Sequence, residues 1–216
     1  MIDFRELEKE YSLSHLEESD LDSSPFEQFN AWLQDAIAAD IIEPNAMSLA
    51  TVDKQGHVSV RMVLCKAIDE NGLIFFTNYN SPKSQALLAH PQAAVQFWWP
   101  ALERQVRIEG ITEKLNPLDS DTYFSQRNPE SQLVSYISKQ SQVMPAKQDF
   151  INEYEALKNE QLHAPPLTRP HYWGGFILKP TNFEFWQGGL HRLSDRLCYQ
   201  KSSVKDQSWD IVRLYP

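Results

Sequence analysis

Two arginines beside a glycine pair, with a large aromatic just upstream, mark the chemistry this chain could perform. The stretch Glu184-Phe185-Trp186-Gln187-Gly188-Gly189 is followed by Arg192-Leu193-Ser194-Asp195-Arg196. Guanidinium forks pair bidentately with phosphate oxygens, and the aromatic can pack on a flat ring. A phosphorylated, planar ligand is the first expectation. A second basic and amide set is spread along the chain. Arg61 and Lys66 lie on one predicted strand, five apart, so they point to opposite faces unless the strand end intervenes. Thr77 ends the next strand and Lys83 falls in the first turn of the following helix. A helix N-terminus with Lys83 and Thr77 makes an anion cradle. Gln105 faces away from Arg104, and Ser138-Lys139-Gln140-Ser141 is a polar loop between helices. Singly, each of these residues is ordinary, and only their conjunction stands out.

Other chemistries lack their residues. There is no Gly-x-Gly-x-x-Gly and no Walker loop, so no dinucleotide or P-loop phosphate cradle is present. The six histidines are scattered without metal-ligand spacing, and no metal is expected. His191, Ser194 and Asp195 lie too close in one loop for a hydrolytic triad. The net charge of -9 argues against non-specific nucleic-acid binding. An anionic ligand on so acidic a chain needs locally concentrated Arg and Lys. Cys65 and Cys198 sit in apolar runs and read as buried free thiols in a reducing cytoplasm. No apolar run approaches the roughly 18 residues that span a membrane, and the N-terminus is acidic, unlike a signal peptide.

The elements that must position these residues are mostly strands. Residues 1–22 read as an acidic arm, and 23–216 as one body with a helical insert at about 116–162. Ser24, Pro25 and Glu27 form a helix start with a capping box, and Phe26, Phe29, Leu33 and Ile37 give that helix its packed face. From Met47 the period changes to two. Strands are expected at 47–52, 57–66, where Val58, Val60, Met62 and Leu64 alternate with His57, Ser59 and Arg61, and at 73–77, 93–99 and 103–115. Further strands are expected at 173–178, 182–187, 196–201 and 209–214, with short helices after Ser81 and near Ser131 and a longer one at about 146–162. Only seven glycines are present. Gly110 reads as a bulge, and Gly174-Gly175 as a close backbone approach. The pattern is mainly antiparallel β with inserted helices, a barrel with helical additions.

Taken together, these residues resemble the pyridoxine/pyridoxamine 5'-phosphate oxidase family. The resemblance rests on Arg61-Met62-Val63-Leu64-Cys65-Lys66, Phe76-Thr77-Asn78, Glu103-Arg104-Gln105-Val106, Ser138-Lys139-Gln140-Ser141, Trp173-Gly174-Gly175-Phe176, the Glu184 to Gly189 stretch and the closing Arg213-Leu214-Tyr215-Pro216. It implies an FMN-binding split β-barrel, a homodimer with flavin at the subunit interface. The resemblance carries FMN contacts to Arg61, Met62, Val63, Leu64, Lys66, Phe76, Thr77, Lys83, Gln105, Gln140, Ser141, Trp186 and Arg196. It carries the substrate's phosphate to Tyr123, Arg127 and Ser131. Tyr123 and Arg127, four apart on a predicted helix, share a face and can grip one group. It turns Lys66 and Arg192 toward the substrate ring, with Arg192 beside the reacting carbon, and adds Ser194 to the substrate side.

The implied reaction is oxidation of pyridoxamine or pyridoxine 5'-phosphate to pyridoxal 5'-phosphate, with oxygen as acceptor and hydrogen peroxide as product. The chain departs from the family pattern in three places. Ser194 replaces a histidine of the Arg-Leu-His-Asp-Arg pattern, and a hydroxyl cannot titrate near neutrality as imidazole does. His191, three residues away, is the candidate to supply the lost imidazole. Pro82 stands where an arginine would face the FMN phosphate, and Glu8-Lys9-Glu10-Tyr11 replaces Arg-Arg-Glu-Tyr. These departures keep two alternatives in view: a split-barrel flavin oxidase for another small ring, and a non-catalytic module binding flavin or pyridoxal phosphate.

Overall fold

The computed structural model describes residues 3, 5 and 9–216, so the first part of the predicted arm, Glu8 included, lies outside the described residues. One antiparallel sheet organises the chain. Its strands are β1 (Ala46–Val52), β2 (Val58–Leu64), β3 (Ala67–Asp69), β4 (Gly72–Asn78), β5 (Gln92–Trp99), β6 (Arg104–Lys114), β7 (Trp173–Gln187), β8 (Asp195–Gln200) and β9 (Asp210–Arg213). The order runs β2-β1-β5-β6-β7-β4-β3. The long β7 has β6 along residues 176–187 of one edge. Its other edge is divided, with β4 against residues 173–178 and β8 against 182–187. That division curls the sheet and splits the barrel, which is the expected fold class.

The helices are α1 (Pro25–Ala38), α2 (Pro82–Ala89), α3 (Pro117–Gln126), α4 (Pro129–Ile137) and α5 (Lys147–Gln161). The first four each carry proline in the first turn, where a missing N–H costs nothing. α1 closes the barrel over Phe97, Trp99, Phe183 and Phe185. Phe29 meets Phe97 at 4.8 Å and Trp32 meets Phe185 at 5.2 Å, both edge-on. Each such aromatic pair adds about 1 kcal/mol beyond its buried area. Both cysteines are free and buried, and burial pushes each thiol up to about 11. Among the described residues, no helix is long and apolar enough to cross a membrane.

Four local expectations are corrected. The buried stripe of α1 is Phe26, Phe29, Trp32 and Ala36, while Leu33 is half-buried and Ile37 is exposed. Trp32 takes the packed position because its ring also lies under the Arg104 guanidinium, 4.4 Å away. Ser24 occupies the cap position, but its side chain makes no capping bond. Instead Asp22 Oδ1 accepts the Ser24 N–H at 2.9 Å. The two strands expected at 173–178 and 182–187 are one 15-residue strand, β7. Pro180 does not end it, because the register shifts between Glu109 and Gly110, placing Gly110 opposite Pro180 at a bulge. Finally, the alternation in β2 is real, but Val58, Val60 and Met62 face outward at 61–69% exposure. β2 is an edge strand, and its inner face carries Ser59 and Arg61 beside Thr51 and Leu49.

Candidate functional site

The expected site residues gather in two places. The first is a cavity of about 590 Å³ lined by Met62, Val63 and Leu64 from the end of β2, Lys66 just beyond it, Phe76, Thr77 and Asn78 from the end of β4, and Lys83 from α2. Its far wall is Tyr123, Arg127, Asn128, Ser131, Val134 and Ser135, with Ser138, Gln140 and Trp173 between. Strand ends and helix starts converge here, so backbone donors and long side chains point into one space.

Lys83 is the buried cation of this cavity. Its Nζ donates to Gln140 Oε1 at 3.0 Å, Thr77 Oγ1 at 3.1 Å and Ser81 Oγ at 3.3 Å. All three acceptors are neutral. Burial, with the nearby Arg61 charge adding to it, pushes the Lys83 pKa down to about 8. Arg61 Nη1 donates to Leu49 O at 2.8 Å and Thr51 Oγ1 at 2.9 Å, and Nη2 donates to Ser59 Oγ. Burial also lowers the Arg61 pKa. Arg61 is not among the residues lining the cavity, but its charge acts on Lys83, and among the described residues neither cation is paired with a carboxylate. That arrangement suits a dianionic phosphate.

A second cationic pole lies across the same cavity. Arg127 is not inside a helix, as its spacing from Tyr123 suggested, but caps the C-terminus of α3 in an extended conformation. Its guanidinium lies 4.7 Å over the Trp173 ring, and Nη1 donates to Ser135 Oγ at 2.5 Å. Burial lowers its pKa. The Asn128 side chain accepts the Ser131 N–H at 2.7 Å, capping α4 so that its N-terminus opens beside Arg127. Phe76 stacks on Tyr123 at 3.8 Å and lies parallel to Trp173 at 5.4 Å. Burial raises the Tyr123 hydroxyl pKa, against the pull of Arg127. Asn128, Ser135 and Trp173 were not singled out as site residues. The Asn128-Pro129 pair, a cap followed by a first-turn proline, was the signal available for the first.

The other expected residues lie elsewhere on the chain. Gln105, Trp186 and Arg196 are cross-strand partners in one row over β6, β7 and β8, with Trp98 of β5 continuing the row. Trp98 and Trp186 approach to 6.0 Å, and these two line a groove with Tyr11, Gln96 and Gln105. Beside it, Trp186, Gly189, Arg192 and Ser194 line a pocket of about 400 Å³ with Lys9, Glu10 and Tyr11. Arg196 ends that row and is bound to the buried Glu184, whose Oε1 accepts from Nε at 2.9 Å, while Tyr215 O accepts from Nη1 at 3.0 Å. Glu184 hydrogen bonding raises the Arg196 pKa. His191 is exposed and does not line the pocket, and it and Arg192 both hold left-handed backbone, φ 55° and 64°. Ser141, at φ 69°, is exposed beside Gln140 and outside the first cavity's lining.

Known proteins resemble this chain over most or all of its length. The family model described as pyridoxamine 5'-phosphate oxidase matches residues 33–157, and that of the pyridoxine 5'-phosphate oxidase C-terminal dimerisation region matches 173–216. A pyridoxine/pyridoxamine 5'-phosphate oxidase of Gloeothece citriformis is 46% identical over 98% of this chain and 97% of its own. The relative of the same name in Burkholderia lata is 44% identical over all of both chains. Among solved structures, PhzG from Burkholderia lata 383, in complex with tetrahydrophenazine-1-carboxylic acid, superposes with a TM-score of 0.87 at 28% identity, covering 95% of this chain and all of its own. A pyridoxamine 5'-phosphate oxidase-related, FMN binding protein from Nostoc punctiforme shares the fold, with a TM-score of 0.71 at 15% identity over 91% of this chain and all of its own. With both models matched and two full-length relatives near 45% identity, the chain belongs to the pyridoxine/pyridoxamine 5'-phosphate oxidase family.

Proposed function

We propose that this protein is an FMN-dependent oxidase that converts pyridoxamine 5'-phosphate or pyridoxine 5'-phosphate to pyridoxal 5'-phosphate. One observation carries the reading. Among the described residues no Asp or Glu lines the 590 Å³ cavity, although the chain is rich in both, and the cavity has two separate cationic poles. Two poles match two phosphates, one on the cofactor and one on the substrate.

The residues present fit FMN. Lys83, Arg61, Thr77 and Gln140 would hold its phosphate, because among the described residues Lys83 and Arg61 give their N–H groups to neutral oxygens. Met62 to Leu64, Lys66 and Phe76 would line the ring. Bound FMN would supply the acceptor for a hydride from the substrate's C4' carbon, with oxygen as final acceptor and hydrogen peroxide as product; from the amine substrate, water would then release ammonia to leave the aldehyde. Tyr123, Arg127 and Ser131 would fix the substrate's phosphate, which sets the distance of C4' from the cofactor. Lys66 and Arg192 would face the substrate ring, and Ser194 would offer a hydroxyl bond without a titrating imidazole.

The row of Gln105, Trp186 and Arg196, with the Arg192 pocket, belongs to a second copy in this reading. Trp173 borders the first cavity and Trp186 the second pocket, at opposite ends of β7, which at about 3.3 Å per residue spans roughly 40 Å. A ring-sized ligand cannot reach both ends of one chain. A homodimer placing one end of β7 against the other end of its partner's would close two complete sites. The dimerisation region matched at 173–216 contains β7, β8 and β9 and supports this arrangement. The exposed Val58, Val60 and Met62 of β2 would be covered in it.

The PhzG likeness favours a second reading, oxidation of a larger ring system with Ser194 opening the substrate side. Its identity of 28% stands below the 44% shared with the vitamin oxidase relative of the same organism, which favours the first reading. The test is an anaerobic titration of the FMN-loaded protein with pyridoxamine 5'-phosphate, following the flavin absorbance. Bleaching, then pyridoxal phosphate and peroxide on admitting air, is expected. Bleaching only by tetrahydrophenazine-1-carboxylic acid would transfer the assignment to the second reading. Oxidised flavin in both arms would leave a binding module. Sedimentation of a monomer that still holds FMN tightly would refute the shared site.

A further inference from the structure

Glu103 is a buried carboxylate in an unexpected place. It sits at the β5–β6 corner with left-handed backbone, φ 54°, and its side chain is 3% exposed. None of its side-chain bonds goes to its own hairpin. Oε2 accepts the N–H of Ser12 at 2.8 Å and of Leu13 at 3.0 Å, and Oε1 pairs with Lys9 Nζ at 3.1 Å. These partners lie about ninety residues away in sequence. The backbone of the same residue faces the other way: Glu103 O accepts the Gly188 N–H at 2.8 Å. One residue therefore joins the N-terminal arm to the Gly188-Gly189 corner.

The arm segment held in this way is part of the second pocket. Tyr11 meets the Trp186 ring edge-on at 5.5 Å. It packs so closely on Gly188 that a Cβ there would lie 2.7 Å from Tyr11 Cβ. Glu10 Oε2 accepts the His191 N–H at 3.3 Å. Further along, Asp195 Oδ2 accepts the Leu16 N–H at 2.9 Å, so the arm is fixed on both sides of the Ser194 loop. Charge-assisted bonds from one carboxylate to two successive amides and an ammonium fix position more tightly than neutral ones would.

We infer that Glu103 is a positioning residue: its carboxylate anchors the Lys9 to Leu13 segment so that Lys9, Glu10 and Tyr11 form one wall of the Trp186, Arg192 and Ser194 pocket and set the affinity for the ligand there. The inference rests on the proposed function in taking that pocket as half of the active site. It adds a determinant of affinity outside the reacting groups.

Two variants test it. Glu103→Gln keeps the size but turns one oxygen into a donor facing Lys9 or the amides. Glu103→Asn suits left-handed backbone and shortens the reach. Hydrogen exchange at Ser12 and Leu13 should accelerate at least tenfold in E103N and less in E103Q, with β5 and β6 amides unchanged. In the FMN-loaded dimer, KM for pyridoxamine 5'-phosphate and the dissociation constant of pyridoxal 5'-phosphate should rise about tenfold, with kcat and FMN affinity within twofold of wild type. Unchanged exchange at the two amides would overturn the anchor. Faster exchange with unchanged KM and pyridoxal 5'-phosphate affinity would overturn the wall. A wild type that neither binds nor oxidises these compounds would remove the proposed function, and the two amides would still decide the anchor.

Discussion

Replacing Lys83 by methionine separates the cost of the phosphate cradle from its use. In the folded apoprotein the Lys83 pKa falls from 10.5 to about 8, chiefly through burial and then through Arg61. Converted directly, that fall is about 3 kcal/mol. The ammonium opens on a solvent-connected cavity, so we take about 1–2 kcal/mol as the penalty for carrying the charge at neutral pH. The sign follows from proton counting. Between pH 8 and 10.5 the unfolded chain holds the Lys83 proton and the folded chain has released it. Apoprotein stability therefore rises with pH across that window.

Lys83→Met removes both the penalty and the rise. Gln140 Oε1 keeps the Thr77 hydroxyl at 3.1 Å, and Ser81 keeps Ser84 at 3.2 Å, so the stranded acceptors retain partners. The variant apoprotein should melt a few degrees higher at pH 7, at about 2–4 °C per kcal/mol for a chain of this size. FMN affinity should fall 10- to 100-fold, the loss of a charge-assisted bond worth about 1.5–3 kcal/mol. Wild-type FMN affinity should itself weaken as pH rises above 8. Thermal melts of the apoprotein from pH 6 to 10.5 and flavin fluorescence titrations read both quantities. An apoprotein variant less stable than wild type, together with FMN affinity within twofold, would refute the cradle.

Three further outcomes follow from named contacts. Arg127→Lys loses the Nη1 bond to Ser135 and the contact with Trp173, so KM for a phosphorylated substrate should rise 10- to 100-fold while FMN affinity, by fluorescence titration, stays constant. Gly110→Ala drives a Cβ to 2.1 Å from Lys179 O, a backbone atom at the bulge, and should destabilise by about 2–3 kcal/mol in urea unfolding without changing the substrate KM of the surviving folded enzyme. Ser194→His should restore a group titrating near pH 6–7, visible as a new limb in the pH profile of kcat/KM that His191→Ala leaves in place.

What the sequence made legible was local. Strands β1, β5 and β6 alternate buried and less buried positions almost without a break, so their period was plain. Four helices begin on a first-turn proline, a signal of the same local kind. The residues of the first cavity could be gathered because short motifs carry them to strand ends and helix starts. What failed depended on partners remote in sequence. Pro180 looks like a strand end until Gly110, seventy residues earlier, is seen to shift the register opposite it. The outward face of β2 could not be assigned from its own alternation, since either face of an edge strand can be the covered one. The docking of the arm needed Glu103, whose side chain bonds Ser12, Leu13 and Lys9 rather than its neighbours in the chain.

Charge placement is the deeper regularity. An acidic chain could neutralise every arginine, and for the framework it does. Arg213 faces Glu17, Glu18 and Asp195; Arg107 and Arg196 share Glu184; Arg104 and Arg169 pair with Asp35 and Asp121. Arg61, Lys83 and Arg127 are different: each is at least half-buried, and each gives its hydrogen bonds to carbonyl, hydroxyl or amide oxygens. A neutral oxygen compensates a buried cation less well than a carboxylate does, so folding alone would favour adding an acid at each position. An acid there would also repel a phosphate. The absence of Asp and Glu among the described residues lining the first cavity therefore leaves electrostatic attraction that an incoming anion can satisfy, and it does so at two poles.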